Sequence, residues 1–333
     1  MNESQSFLDF PIFIGGHRRS GTTLLNNLFD NHSEAIVWPD ESGFFNNYLP
    51  YVKNCKNNIE KIDLCINNII NRMNLAGRDD QLGLSKKKMS MIFYNHVSKT
   101  DLSSSEVLKS MILSLHEWLN YPENPKLWIE KTGMSEVYTK EIFEWFPNAR
   151  FIHVIRNPKD VWSSVLKNWP KEKNIHYSWN HFLQSVIELS RASYKFAIDN
   201  QKEYGNKYKI VKYEDIVQKT KLTMEELCVF LGIKFENILL NPTILGINWQ
   251  GNSSHNVKFK SVSSNHVDNW KSGQISEDDL MVIEYLLSDF MDYFGYEKYY
   301  DLKKSFLASK IHYQKLIHYH NKKYMEYEQN KFK

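Results

Sequence analysis

Residues 13–25 read FIGGHRRSGTTLL, and no other stretch restricts the fold as strongly. Gly16, four residues and then Gly21 is the spacing of a loop that grips phosphate between a strand and a helix. The flanks agree with that reading. Phe10 to Gly16 is a short apolar run rich in aromatic and β-branched residues, the pattern of a buried strand. Thr22 to Asp30 then sets Leu24, Leu25, Leu28 and Phe29 at helical spacing. In nucleotide-hydrolysing loops a lysine follows the second glycine; here Thr22 stands in its place. What is left is a glycine-rich backbone whose N–H groups turn inward at the positive end of a helix, with the Thr22 and Thr23 hydroxyls beside it, and such a layout binds an anion.

Further buried strands are expected at Ala35 to Trp38, Leu127 to Glu130, Arg150 to Ile155 and Lys207 to Lys212. Strands separated by helical stretches pack as a parallel sheet covered on both sides. The expected architecture is therefore α/β: one domain over residues 1–333, a three-layer P-loop-like parallel sheet flanked by helices. A chain of 333 residues, 42% hydrophobic and 14% aromatic, can bury a core of that size. Between Phe44 and Glu123 the pattern turns helical, with Ile59, Ile62, Ile66, Ile69, Ile70 and Met73 as one apolar stripe, and reads as an inserted helical cap. Residues 300–333 hold eight lysines against Asp301, Glu326 and Glu328, a local net charge of +5. They read as a basic helical extension that packs through its aromatic residues.

Several classes are disfavoured. A net charge of +3 gives no reason to expect nucleic acid as a partner. Cys55, Cys65 and Cys228 cannot all pair and form no Cys/His cluster, so neither a disulfide framework nor a metal site is expected, and a reducing compartment fits. The start MNESQSFLDFPIF lacks a basic segment followed by a long apolar run, so no leader is expected there, and no later stretch reaches the roughly 18 apolar residues of a membrane span. The expectation is a cytoplasmic protein without a transmembrane segment, compatible with a homodimer.

A second motif, VIRNPKDVWSSVLKNW, follows the strand FIHVI. It ends that strand in Arg156, where a metal-binding acid would stand in a nucleotide hydrolase. Pro158 suits the first turn of a helix and Ser164 falls about two turns in, so a guanidinium and a hydroxyl can converge on one phosphate. GGHRRSGTTLL and VIRNPKDVWSSVLKNW together resemble the 5′-phosphosulfate and 3′-phosphate motifs of sulfotransferases that use 3′-phosphoadenosine 5′-phosphosulfate (PAPS). With PDESGFF soon after the loop, the style is closest to tyrosylprotein sulfotransferases and their bacterial relatives. The resemblance implies a PAPS site made by Arg18, Arg19, Ser20, Gly21, Thr22, Thr23 and Leu24 of the loop, by Arg156 and Ser164, and by Tyr213 of KYED, with Glu214 and Asp215 capping the helix that follows. In NSSHNVKFKSVSSNHVDNWK it implies a closing segment with Ser254, or Ser253, on the sulfonate. Trp162 and Trp169 read as core residues rather than adenine contacts.

The reaction implied is transfer of a sulfuryl group to an acceptor hydroxyl by in-line displacement, which fixed cations can support without a metal. Arg19 matches the family's cationic position, and Lys131 in WIEKTG matches its Trp-x-x-Lys-Thr-Pro pattern, with Gly133 replacing the proline. Glu41 matches the position of the base that takes the acceptor proton. Asp40 beside it and His17 in the loop are the alternatives; His32 and the mid-strand His153 are weaker ones. The acceptor stays open among a glycan, a lipid, a small molecule and a peptide tyrosine. Two other readings remain: a P-loop kinase or NTPase-like enzyme, against which the missing lysine and acidic metal ligand argue, and a catalytically silent anion-binding module.

Overall fold

All five expected strands form in the computed structural model, which describes residues 3–73, 85–168, 179–249, 251 and 262–331. They are β1 (Pro11–Gly15), β2 (Ala35–Val37), β3 (Leu127–Lys131), β4 (Arg150–Ile155) and β5 (Tyr208–Lys212). Each lies within one or two residues of its expected bounds. They make one sheet in the order β2-β3-β1-β4-β5, and all its pairings are parallel. A short antiparallel pair, Thr243–Ile244 with Ile247–Asn248, was not expected; two-residue strands leave no periodic signal.

The chain divides into two compact units, Met1–Ile155 with Phe196–Ser264, and Arg156–Lys195 with Asn265–Lys333. The sheet belongs to the first. Its strands are buried on both faces, so they read as nearly continuous apolar runs, as parallel strands do. Alternation along each strand sends Ile12, Ile14, Ala35, Val37, Leu127, Ile129, Ile152 and Val154 into one core. There they meet Leu25, Leu28 and Phe29 of helix α1 (Thr22–Phe29). The intervening residues Phe13, Ile36, Trp128, Phe151 and Tyr208 enter the other core. That second core is completed by Phe44, Phe45, Tyr48, Ile62, Ile69, Ile70, Phe93, Leu108 and Ile112, so the helical stretch read as a cap is the third layer of the sandwich. An uncovered sheet face would leave its aromatic residues in water, and this segment is what covers them. Ile59, placed on the same stripe, is instead 66% exposed.

In the second unit, the helix Pro158–Asn168 begins on its proline as expected. Trp162 is fully buried and donates Nε1–H to Asp279 at 3.1 Å, a core role; Trp169 lies outside the described residues. Asp160 accepts the N–H groups of Asp268 (2.9 Å) and Trp270 (3.0 Å). Buried Lys159 pairs with Glu284 at 2.6 Å and stands 3.7 Å from the Trp270 ring centroid. The long helix Leu302–Lys331 packs against Glu277–Leu286, with the Phe306 ring on that of Tyr285, centroids 5.5 Å apart. Among its described side chains Ser305, Ala308, Ser309, His312 and Leu316 are buried, whereas Phe306 and Tyr313 are more than a third exposed. The small side chains among them let the two helices approach closely. Among the described residues no helix is long and apolar enough to cross a membrane.

Trp128 joins Phe13 (5.5 Å) and Phe146 (5.6 Å) in an edge-to-face cluster and donates Nε1–H to Leu8 O at 3.1 Å. Trp128→Ala should lower the unfolding free energy by about 3–5 kcal/mol, the usual cost of emptying such a site. Urea unfolding checks this; a loss below about 1 kcal/mol, the scale of an exposed substitution, would show that the cluster is not the keystone of that layer.

Candidate active site

The candidate residues follow the carboxyl ends of the strands, where ligands bind in open parallel sheets. The glycine loop follows β1, Asp40 and Glu41 follow β2, Lys131 ends β3, Arg156 follows β4 and Tyr213 follows β5.

The loop is a tight structure. Gly16 and Gly21 have φ of 139° and 101°. A Cβ on Gly16 would stand 2.3 Å from Val154 O, and one on Gly21 2.4 Å from Tyr213 Cδ2. Tyr213 is buried, and this contact rather than periodicity explains its place against the loop. Arg19 has a left-handed φ of 69° and is half-buried, while Arg18 is exposed. Gly16 donates its N–H to Glu136 Oε2 at 2.9 Å. Glu136 is fully buried, and its other oxygen lies 3.6 Å from His153 Nε2. His153 Nδ1 meets Tyr208 OH at 2.5 Å, and burial lowers its pKa. His153 is thus a core residue. His32 is one too, with Nε2 against Lys234 O at 2.8 Å and Nδ1 accepting from Glu34 N–H at 3.0 Å.

Two groups in the loop have no such satisfaction. Ser20 Oγ and both ring nitrogens of His17 are buried without a hydrogen-bond partner among the described residues. Burial, reinforced by the Arg18 charge, pushes the His17 pKa down to about 4, so its imidazole is neutral at working pH. Orphaned polar atoms inside a glycine cradle at a helix start are what an anion site presents before it is filled. The donor set therefore suits a phosphate or sulfonate.

Beside the loop lies an ionic group. By the alternation of β3, Lys131 points to the α1 side of the sheet, and there its Nζ lies 3.3 Å from Thr23 Oγ1, 3.2 Å from Glu41 Oε2 and 3.9 Å from Asp40 Oδ1. The Lys131 side chain is only 2% exposed, whereas that of Glu41 is 41% exposed. Glu41 Oε1 accepts the Gly133 N–H at 2.8 Å. The departure from the family's proline thus has a chemical consequence, since proline has no N–H to donate. Asp40 sits in left-handed backbone, φ 61°, and burial raises its pKa despite the opposing Lys131 charge.

The structure brings Thr23, Glu41 and Lys131 together, with Asp40 at the margin. Arg156 is buried and donates from Nη2 to His266 O at 2.7 Å; Ser164 is half-buried on the helix that follows. Glu214 and Asp215 lie in the first turn of Tyr213–Gln218 rather than at its cap, Lys212, because the helix starts one residue early. Ser253 and Ser254 lie outside the described residues. Sequence reasoning passed over Ser42, Glu130, Thr132 and the Gly133 N–H. One signal was available: a glutamate inside a buried strand is rare unless it has partners.

A sequence model of the sulfotransferase family matches residues 11–237, and the chain belongs to that family. It is 25% identical to protein-tyrosine sulfotransferase A of Caenorhabditis elegans over 231 residues, 69% of this chain and 52% of that protein. It is 25% identical to sulfotransferase 2A1 of Macaca fascicularis over 162 residues, 46% of this chain and 52% of the relative. The chain spans about half the length of the curated relatives it matches. Among solved structures, the sulfotransferase domain of the Synechococcus PCC 7002 olefin synthase has a TM-score of 0.58 at 19% identity, covering 87% of this chain and 96% of that one. The sulfotransferase domain from the curacin biosynthetic pathway has 0.52 at 20% identity, covering 86% and 97%. These two share the fold.

Burial raises Glu130 from its ordinary value of 4.5 to about 7, against the lowering effect of Ser42 and Thr132. Unfolded, Glu130 ionises above pH 4.5; folded, it keeps its proton until about 7. Its contribution to stability is complete below pH 4.5 and is lost as pH rises through 7. Glu130→Gln, which carries no such proton, should therefore gain stability relative to the parent between pH 5 and pH 8 in denaturant titrations. A difference independent of pH would contradict the assignment.

Proposed function

We propose that this chain is a PAPS-dependent sulfotransferase that transfers a sulfuryl group to an acceptor hydroxyl, with Glu41 as the base. One observation carries the reading: a half-exposed carboxylate stands against a buried ammonium, Lys131, 3.2 Å away, and that ammonium also reaches Thr23 of the anion loop at 3.3 Å. A base, a cation and an anion cradle within contact of one another are the parts that this transfer needs.

The loop from Arg18 to Leu24 is assigned to the 5′-phosphosulfate, through backbone N–H groups, the Ser20, Thr22 and Thr23 hydroxyls and the Arg19 guanidinium. Arg156 and Ser164 are assigned to the 3′-phosphate, Tyr213 to the nucleotide and Ser254 to the sulfonate. PAPS supplies an activated sulfuryl group with a phosphate as leaving group. Glu41 takes the acceptor proton onto its carboxylate as the hydroxyl oxygen attacks. Lys131 and Arg19 oppose the negative charge that spreads over the sulfonate and bridging oxygen, a role suited to fixed cations in a site shielded from water. No metal is assigned. The one relative above named for tyrosine keeps a peptide tyrosine among the acceptors, beside a glycan, a lipid or a small molecule; sulfate transfer from labelled PAPS to such a panel would decide. Homodimerisation and a cytoplasmic location belong to the same proposal.

Binding to the folded state alone stabilises it by RT ln(1 + [L]/Kd), roughly 2.7 kcal/mol at a hundredfold excess over Kd. 3′-Phosphoadenosine 5′-phosphate (PAP) should therefore raise Tm well above the effect of ADP, and Arg156→Ala should abolish the difference. If the variant still tells the two nucleotides apart, the 3′-phosphate is read elsewhere.

Glu41→Gln should cut turnover by roughly 10² to 10⁴, the range for a positioned general base, while PAP affinity stays near that of the parent. Lys131→Ala and Arg19→Ala should weaken donor binding and turnover together. Loss of transfer in Asp40→Asn with near-normal turnover in Glu41→Gln would move the base to Asp40.

A further inference from the structure

On the opposite side of β3 from Lys131 lies a polar group to which the proposed chemistry gives no part. Glu130 is completely buried. Thr132 Oγ1 donates to Glu130 Oε1 at 2.5 Å, and Ser42 Oγ donates to the same oxygen. Ser42 Oγ also accepts the Phe44 N–H at 3.0 Å and lies 3.2 Å from Thr132 Oγ1. The Ser42 N–H donates to Lys131 O at 3.2 Å. Glu130 Oε2 is buried with no hydrogen-bond partner among the described residues. A carboxyl group with one dry, unpaired oxygen is a costly way to fill a core position, and an apolar side chain would fill it at less expense. The group's value must lie in what it holds.

What it holds is one turn. Asp40 and Gly43 both occupy left-handed backbone, φ 61° and 66°, so residues 40–43 fold back sharply. Two successive residues of that turn are gripped from four successive residues of β3 and its extension. Lys131 and Gly133 hold the Glu41 side chain, and Glu130 and Thr132 hold the Ser42 side chain. The period-two alternation of an extended strand makes both grips available at once. Without the second, Glu41 would be free to swing with a turn that has few hydrogen bonds of its own.

We infer that Glu130 is a positioning residue for the base: through Ser42 it fixes the turn that keeps the Glu41 carboxylate between Lys131 and the acceptor hydroxyl. The inference rests on the reading of Glu41 as the base. Glu130 itself touches neither donor nor acceptor.

The test is PAPS turnover with water as the probe acceptor, kcat and KM being separated, and PAP affinity measured by calorimetry. Ser42→Ala should lower kcat by about 10- to 100-fold, the scale of a misplaced catalytic group, with PAP affinity held within about twofold. Glu130→Leu should do the same, whereas Glu130→Gln, which keeps an oxygen for both hydroxyls, should recover most of the lost kcat. In a Glu41→Gln background, Ser42→Ala should cost nothing further, because residues acting as one unit are not additive. An equal loss in both backgrounds, or an unchanged kcat in Ser42→Ala, overturns the positioning role while leaving Glu41 as the base. Full turnover in Glu41→Gln alone removes the base reading, and this inference with it.

Discussion

The ammonium of Lys131 is buried at the carboxyl end of β3, and a buried charge must be met by opposite charge and hydrogen bonds or it will not be tolerated. The arrangement of the site follows from that demand. Glu41 supplies the countercharge, Thr23 ties the ammonium to the start of α1, and Asp40 adds a second carboxylate further off. The cation thereby links two loops that leave different strands of the sheet. Because Glu41 is the more exposed partner, the pair has one dry end and one end open to a reacting molecule.

The sheet makes such a meeting inevitable once its order is set. Parallel strands bring all their carboxyl ends to one edge, so the loops after β1, β2 and β3 share a rim although long stretches of sequence separate them. A second polar system stands behind the glycine loop. Glu136 holds the Gly16 N–H and in turn faces His153, which meets Tyr208. The loop's backbone is thus held by a buried side chain on the protein's side, while Ser20 and His17 keep polar atoms that are unpaired among the described residues. Rigid support behind and unsatisfied donors in front are the two properties that let a loop bind an anion without rearranging.

Much of this was readable from the chain alone. The five strands, the loop-to-helix junction, the proline-started helix at Pro158 and the chemical types of the candidate residues all have short-range signatures: alternation, helical spacing, glycine pairs. Other features had none. The stretch between β2 and β3 carries a helical pattern, yet nothing in it says that it covers a sheet face. In Leu302–Lys331 the expected aromatic contact is made by Phe306 on Tyr285, whereas the burial of the small residues Ser305, Ala308 and Ser309 has no signature in residue type. The substitution of glycine for proline at position 133 looked like a weakness in the pattern and proved to supply a hydrogen bond to Glu41.

The amino-acid sequence by itself determined the secondary elements, their parallel class and the presence of a glycine-rich strand-to-helix loop with carboxylates and cations in the neighbouring segments, because periodicity and backbone permissiveness are local properties. Which groups meet was decided only by the tertiary structure. Glu41 and Lys131 are 90 residues apart in the chain, and their contact depends on the parallel register of β1 with β3, on the left-handed turn at Asp40, and on which face each residue of β3 presents. One residue's slip in that register would send Lys131 to the insertion side and Glu130 toward α1. That is why candidate residue types could be read from the sequence, while the pairing of Glu41 with Lys131 and the clasp on Ser42 had to await the packed sheet.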